Sequence, residues 1–290
     1  HLRIYQKKIM VRRNIFMMLV CLCHLLAWAN PIKELPTNQP IGVCLSGGGA
    51  LGFVHIGALQ ALEDNGIKPH IISGCSMGSL IGAMYANGYS PQEIMDLIKE
   101  HKLYKTSHLI SVRKSKRGIT GLWGIIKLIE KELIPHNSFD SLSIPFYTCV
   151  TNLSTGKASY IHQGNELAKY VCASASVPGI FESIKIDTCY YADGGIVDNL
   201  PITPLQEQHA FIIAIDALQY PKTPTIKNTT DVLLLSVLLM NSATAQPQIQ
   251  ACDWYIPCRG ADHYDALSFD SYKELYQIGY DAVQAYIRQQ

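Results

Sequence analysis

Charge is scarce in this chain of 290 residues. Asp, Glu, Lys and Arg make up 16% of it, and 24 bases against 23 acids leave a formal net of +1. So balanced a chain lacks the concentrated basic surface on which nucleic-acid binding depends, and no nucleic-acid partner is expected. Disorder is excluded too, because 48% hydrophobic residues offer enough apolar surface to offset the entropy of ordering the chain. A disulfide framework is missing: beyond residue 30 the cysteines are Cys44, Cys75, Cys149, Cys172, Cys189, Cys252 and Cys258, odd in number and irregular in spacing. Of these, Cys252 and Cys258 are close enough in sequence to bridge. No pair of Cys or His has zinc-ligand spacing, so no metal is indicated. Internal repeats and low-complexity tracts are absent as well.

The bases that are present lie unevenly. Residues 1–29 hold Arg3, Lys7, Lys8, Arg12 and Arg13 and no acid; without them 19 bases face 23 acids, a net of −4. Met10-Val11-Arg12-Arg13 followed by the apolar run Ile15 to Trp28 and by Ala27-Trp28-Ala29 has the layout of a secretory signal peptide. The run is about 14 residues, short of the roughly 20 that span a bilayer. Residues 1–29 are therefore expected to be a signal peptide with some upstream residues, and 30–290 a single exported domain, periplasmic or extracellular.

Strand-like and helix-like segments alternate along that domain. Strands are expected at Ile41–Leu45, His70–Ser73, Ile144–Val150, Ala158–Ile161, Ile184–Ile186, Tyr190–Tyr191 and Ala210–Asp216. Helices are expected at Leu51–Asp64, Met77–Asn87, Pro91–Glu100, Glu166–Ala173 and Ser271–Gln289. Ser90-Pro91-Gln92-Glu93 is a capping box with Pro at the first helical position. Asp231–Asn241 is apolar on every side and reads as a buried helix. The alternation predicts an α/β fold with a mostly parallel central sheet flanked by helices.

Three glycine-rich elements sit where strands hand over. Ser46-Gly47-Gly48-Gly49-Ala50-Leu51-Gly52 follows the first strand; consecutive glycines let backbone N–H groups converge on a phosphate or an oxyanion. Gly47, Gly49 and Gly52 also satisfy the dinucleotide-binding spacing, but the second strand ends in Ser73-Gly74-Cys75-Ser76, without the acid that would hold a ribose. Gly74-Cys75-Ser76-Met77-Gly78 is a G-x-S-x-G turn between strand and helix, a frame that projects a serine hydroxyl. Asp193-Gly194-Gly195 follows Tyr190-Tyr191 and could by itself be an ordinary hairpin turn.

Taken in order, these elements resemble the patatin-like phospholipase family. Phe53-Val54-His55-Ile56-Gly57 and Ala173-Ser174-Ala175-Ser176-Val177-Pro178-Gly179-Ile180-Phe181 extend the match, which covers about residues 40 to 290. The resemblance implies a three-layer α/β fold and hydrolysis of lipid carboxylic esters by a Ser–Asp dyad, with Ser76 as nucleophile and Asp193 as base. It further implies an oxyanion hole from Gly47, Gly48, Gly49 and Gly52, support from Gly74, Gly78 and Gly194, and no metal or organic cofactor. The family usually has Arg or Lys two residues after the third glycine; here Leu51 stands there. Two other readings stay open: an α/β-hydrolase with a Ser-Asp-His triad, its histidine being His209 or His263, and a non-catalytic lipid-binding protein of the same fold. His55 reads as a packed helix histidine rather than a base.

The expected partner is a lipid, membrane phospholipid above all. Residues 99–131 carry nine bases (Lys99, Lys102, Lys105, Arg113, Lys114, Lys116, Arg117, Lys127 and Lys131) and two acids. Trp123, Ile125, Ile126, Leu128 and Ile129 add an apolar set at near-helical spacing. This stretch suits peripheral contact with an anionic membrane, and equally an insertion packed on the core.

Overall fold

In the computed structural model, residues 34–36, 38–103, 122–134, 136–218, 226, 229–266 and 269–289 are described. The signal-peptide reading of residues 1–29 and the basic run Arg113–Arg117 lie outside them. Leu35–Gln290 clusters as one unit; the other, His1–Glu34, is described only at Glu34.

Among the described residues the strands are β1 (Ile41–Leu45), β2 (Ile71–Cys75), β3 (Phe146–Asn152), β4 (Lys157–Ile161), β5 (Ile184–Ile186), β6 (Cys189–Asp193), β7 (Phe211–Asp216) and β8 (Trp254–Pro257). They form one sheet in the order β5-β6-β3-β2-β1-β7-β8, with β4 paired to β3 off this path. From β3 through β8 the neighbours are parallel, whereas β4, β5 and β6 join antiparallel. The helices are α1 (Val54–Asp64), α2 (Met77–Ala86), α3 (Pro91–Glu100), α4 (Trp123–Leu128), α5 (Leu167–Ser174), α6 (Thr203–Glu207), α7 (Thr229–Ala251) and α8 (Tyr272–Ile287).

The central strands β1, β2 and β7 are buried at nearly every position because both faces are covered. On β1 and β7, Val43, Leu45, Ile213 and Ile215 belong to the larger core cluster, while Cys44, Ile212 and Ala214 join a smaller one with Leu200, Ile202 and Leu205. Alternate side chains thus enter opposite layers, and the molecule is the expected three-layer α/β fold.

Several expectations change. The Gly49–Phe53 stretch is a 3-10 turn, so the first α-helix begins at Val54 rather than Leu51. β8 is an unexpected strand; it has four residues and ends in proline, too short for a clear alternation. The helix expected to be buried over Asp231–Asn241 runs on to Ala251, and Val232, Leu233 and Leu239 are 47%, 40% and 50% exposed. Part of the apolar surface of this helix therefore faces outward. In α4, Ile125 and Ile126 are buried, as is Ile129 in the π-helical turn that comes next, so these three isoleucines of the apolar set face inward. Cys252 and Cys258 are free thiols. No helix among the described residues is long and apolar enough to cross a membrane.

Candidate active site

β2 delivers Ser76 through a sharp turn. Ser76 has φ 52° and ψ −121°, a left-handed conformation that costs a non-glycine residue about 1–3 kcal/mol. The turn is held from both sides. Its N–H donates to Ser174 Oγ at 2.8 Å, and that hydroxyl donates to the Cys149 carbonyl at 2.6 Å. Its own carbonyl accepts the N–H groups of Ser79 (2.9 Å) and Leu80 (3.2 Å). The flanking glycines are needed for space: a methyl group on Gly74 would stand 2.5 Å from the Gly78 carbonyl, and one on Gly78 would collide with the Leu45 and Ser46 carbonyls.

Strand register brings Asp193 to the same point. β2 runs parallel to β3 and ends with Cys75 opposite Cys149; β6 runs antiparallel to β3 and ends with Asp193 opposite Val150. The carboxyl ends of β2 and β6 therefore meet head to head along one strand, although 117 residues separate Ser76 from Asp193 in sequence. Asp193 is buried. Its Oδ1 accepts the Gly195 N–H at 2.7 Å, and its Oδ2 has no hydrogen-bond partner. Burial pushes its pKa up to about 7, against the opposing pull of the Gly195 N–H, the neighbouring Ser76 hydroxyl and the Cys75 thiol. One oxygen is thus held in place, and the other is left open to take a proton.

The glycine loop closes the third side. Gly47 donates its N–H to the Asn199 carbonyl at 3.2 Å, Ala50 donates to Ala266 at 2.8 Å, and Leu51 to Gly48 at 3.1 Å. Among the described residues no backbone carbonyl takes the N–H of Gly48 or Gly49, and both glycines border the cavity that Ser76 and Asp193 line. Of the four glycines expected to supply donors, Gly48 and Gly49 border the cavity. Gly47 has its N–H engaged elsewhere, and Gly52 makes room for Met77, whose side chain a methyl group there would strike. The cavity is about 180 Å3, and its walls are largely apolar, including Leu80, Val171, Val177, Ile180, Phe181 and Phe269. Such walls suit an alkyl chain, with polar chemistry confined to one end.

Residues 43–205 match the family model for patatin-like phospholipase. The chain belongs to the patatin-like phospholipase family. Curated relatives include Lysophospholipase NTE1 of Scheffersomyces stipitis, 25% identical across 86% of this chain and 18% of its own. Lysophospholipase nte1 of Emericella nidulans is 26% identical across 87% of this chain and 18% of its own. The chain thus spans about a fifth of the length of these relatives. Among solved structures, VipD from Legionella pneumophila superposes with a TM-score of 0.51 at 16% identity, covering 89% of this chain and 70% of VipD, a likeness of fold.

The patatin-like site holds no histidine among its described lining residues. His209 is exposed at φ 52°, and His263 is 84% exposed at 3.7 Å from Asp262; the triad reading has no member to offer from either. His55 is fully buried on α1, where burial lowers its pKa to about 4 and Nε2 lies 2.8 Å from the Ser46 carbonyl. It is a neutral prop beneath the glycine loop. Leu51 is buried in the core, so no cation reaches the loop from that position.

Sequence reasoning missed Asn199 and gave Ser174 no role. It also missed Asp198, a buried acid bonded to Tyr160 (2.6 Å), Gln248 (2.6 Å) and the Leu200 N–H (3.1 Å). Asn199-Leu200-Pro201 has the composition of an ordinary turn; only its place six residues after Asp193 hinted at more.

Proposed function

We propose that the protein is a lipid acyl hydrolase in which Ser76 is the nucleophile and Asp193 the general base. The reading is carried by one observation: Ser76 and the open oxygen of buried Asp193 share the polar end of an apolar cavity bordered by unengaged N–H groups. Ser76 Oγ attacks the ester carbonyl carbon while its proton passes to Asp193 Oδ2. The carbonyl electrons move onto oxygen, where the Gly48 and Gly49 N–H groups stabilise the charge. Collapse expels the glycerol-side alkoxide, which takes the proton from Asp193 and leaves an acyl ester on Ser76. Water then attacks that ester with Asp193 again accepting the proton, the acyl–Oγ bond breaks, Ser76 Oγ takes the proton back from Asp193, and the fatty acid departs. A carboxyl near pKa 7 is a far better base than one near 4, because its proton affinity is closer to working pH.

The names of the curated relatives make single-chain phospholipids the first substrates to try. Ser76→Ala and Asp193→Asn are each expected to abolish release of fatty acid from lysophosphatidylcholine with the circular dichroism spectrum unchanged. Turnover persisting in Asp193→Asn would assign the base elsewhere, and zero turnover by the native protein on any ester would favour the lipid-binding reading.

Export and membrane contact belong to the same proposal. Cleavage near Ala29 would be read from the N-terminal mass of secreted protein, and an intact Met10–Ala29 segment refutes it. Contact through residues 99–131 predicts tighter binding to vesicles rich in anionic lipid, and charge-reversal at 113–117 should remove that preference.

A further inference from the structure

If Ser76 and Asp193 act as proposed, on which everything below depends, the donor side of the cavity must be held as firmly as the dyad. The Gly47 carbonyl and the Gly48 N–H belong to one planar trans peptide, so they point in opposite directions. Whatever holds the carbonyl therefore aims the N–H. Two side chains hold it: Ser46 Oγ donates at 3.0 Å and Asn199 Nδ2 donates at 3.4 Å. Ser46 Oγ is itself fixed by accepting the Ala217 N–H at 2.9 Å. Asn199 grips Gly47 a second time, since its main-chain carbonyl accepts the Gly47 N–H at 3.2 Å. Its seat is close: a methyl group on Gly47 would overlap Asn199 Oδ1, and one on Gly195 would stand 2.8 Å from it. Asn199 thus leans on the donor loop on one side and on the turn after Asp193 on the other, and it borders the cavity.

We propose that Asn199 is a positioning residue of the hydrolytic site. It locks the Gly47–Gly48 peptide so that the Gly48 N–H stays aimed at the developing oxyanion, and it keeps that donor in register with Asp193. A rotated peptide would turn the Gly47 carbonyl toward the reacting centre and replace attraction by repulsion. Negative charge appears on the substrate oxygen only in the transition state, so a loss of aim lowers kcat and leaves KM nearly alone.

The test is Asn199→Leu, which keeps the side-chain shape and removes both polar atoms. Deleting an oxyanion donor outright costs about 100- to 1000-fold in kcat, so losing one of two tethers is expected to lower kcat about 10- to 100-fold. KM for lysophosphatidylcholine should stay within about threefold, as expected for an interaction made only in the transition state. A long-chain alkyl fluorophosphonate gives a second readout. Ser76 Oγ bonds to phosphorus, fluoride leaves with the P–F electron pair, and the hydroxyl proton passes to Asp193. The phosphonyl oxygen occupies the place of the oxyanion, so phosphonylation should slow by the same factor as kcat. Should Asn199→Leu fail to fold, Ser46→Ala tests the same peptide through its other tether.

A folded Asn199→Leu with native kcat, or one whose whole defect lies in KM, overturns the proposal. The underlying reading is judged separately: an active Ser76→Ala refutes the nucleophile, whereas an inactive Ser76→Ala beside a fully active Asn199→Leu refutes only the role of Asn199.

Discussion

Asp193 combines two demands that conflict in a single residue. To accept a proton near neutrality it must be buried, and burial makes its ionised form costly to the fold. Its pKa of about 7 in the folded protein stands some three units above the roughly 3.9 of an unfolded chain. The folded state therefore holds the proton more tightly between those values. The associated stability is fully present below about pH 4, declines as pH rises, and is gone above about pH 7. The full difference is about 4 kcal/mol. Asp193→Asn, neutral at every pH, should then melt above the native protein at pH 8, with the gap closing toward pH 4. A gap that stays constant with pH would mean that the carboxylate is compensated by something else. In the native enzyme the same titration should appear as an acid limb: kcat/KM rising about tenfold per pH unit below 7 and level above it.

Among the elements, the turn from β2 into α2 makes strict demands on sequence, and glycines meet them. Gly78 packs against the Leu45 and Ser46 carbonyls, whereas a methyl group on Gly124 in α4 would meet nothing within 4 Å among the described residues. Gly78→Ala must push α2 away from β1, an overpacking that costs about 1–3 kcal/mol, and it moves Ser76 with it. Gly124→Ala should instead stabilise by about 0.5–1 kcal/mol, since alanine is the better helix former. Urea unfolding of the two variants measures both signs, and equal effects would contradict the packing described. The same contrast explains what could be read from sequence. The capping box at Ser90 and the G-x-S-x-G turn depend on neighbours within a few residues, so α3 and the Ser76 turn stand where they were expected. The exposed side chains of α7 were not legible, because composition gives a segment's hydrophobicity but not which of its side chains find a neighbour to pack on. Nor was Asn199, whose meaning lies in a contact 152 residues away.

At the scale of the whole molecule, the site is assembled from both ends of the domain. The family match stops at residue 205, yet the glycine loop depends on residues beyond that point. Ser46 donates its N–H to Ile215, and Ala50 donates to Ala266. Phe53 meets Phe269 and Tyr272 edge to face, with ring centres 6.1 Å apart in each case. α8 then clamps α1, the helix that the loop begins. Their contact is so close that a methyl group on Gly57 would collide with the Tyr276 carbonyl, and one on Gly279 with the Val54 carbonyl. The two glycines thus serve a single approach of two helix backbones. Gly57→Ala and Gly279→Ala should each destabilise by about 1–3 kcal/mol, lowering Tm by about 2–4 °C per kcal/mol in a domain of this size. The first alanine already forces α1 and α8 apart, so the second meets a widened gap, and the double variant should lose clearly less than the sum. Both single variants should also lose kcat, because separating the helices shifts the Gly48 and Gly49 donors without touching Ser76 or Asp193. Strictly additive stability losses would show that the two sites are independent, and native kcat in a measurably destabilised Gly279→Ala would show that the clamp holds the fold without holding the loop.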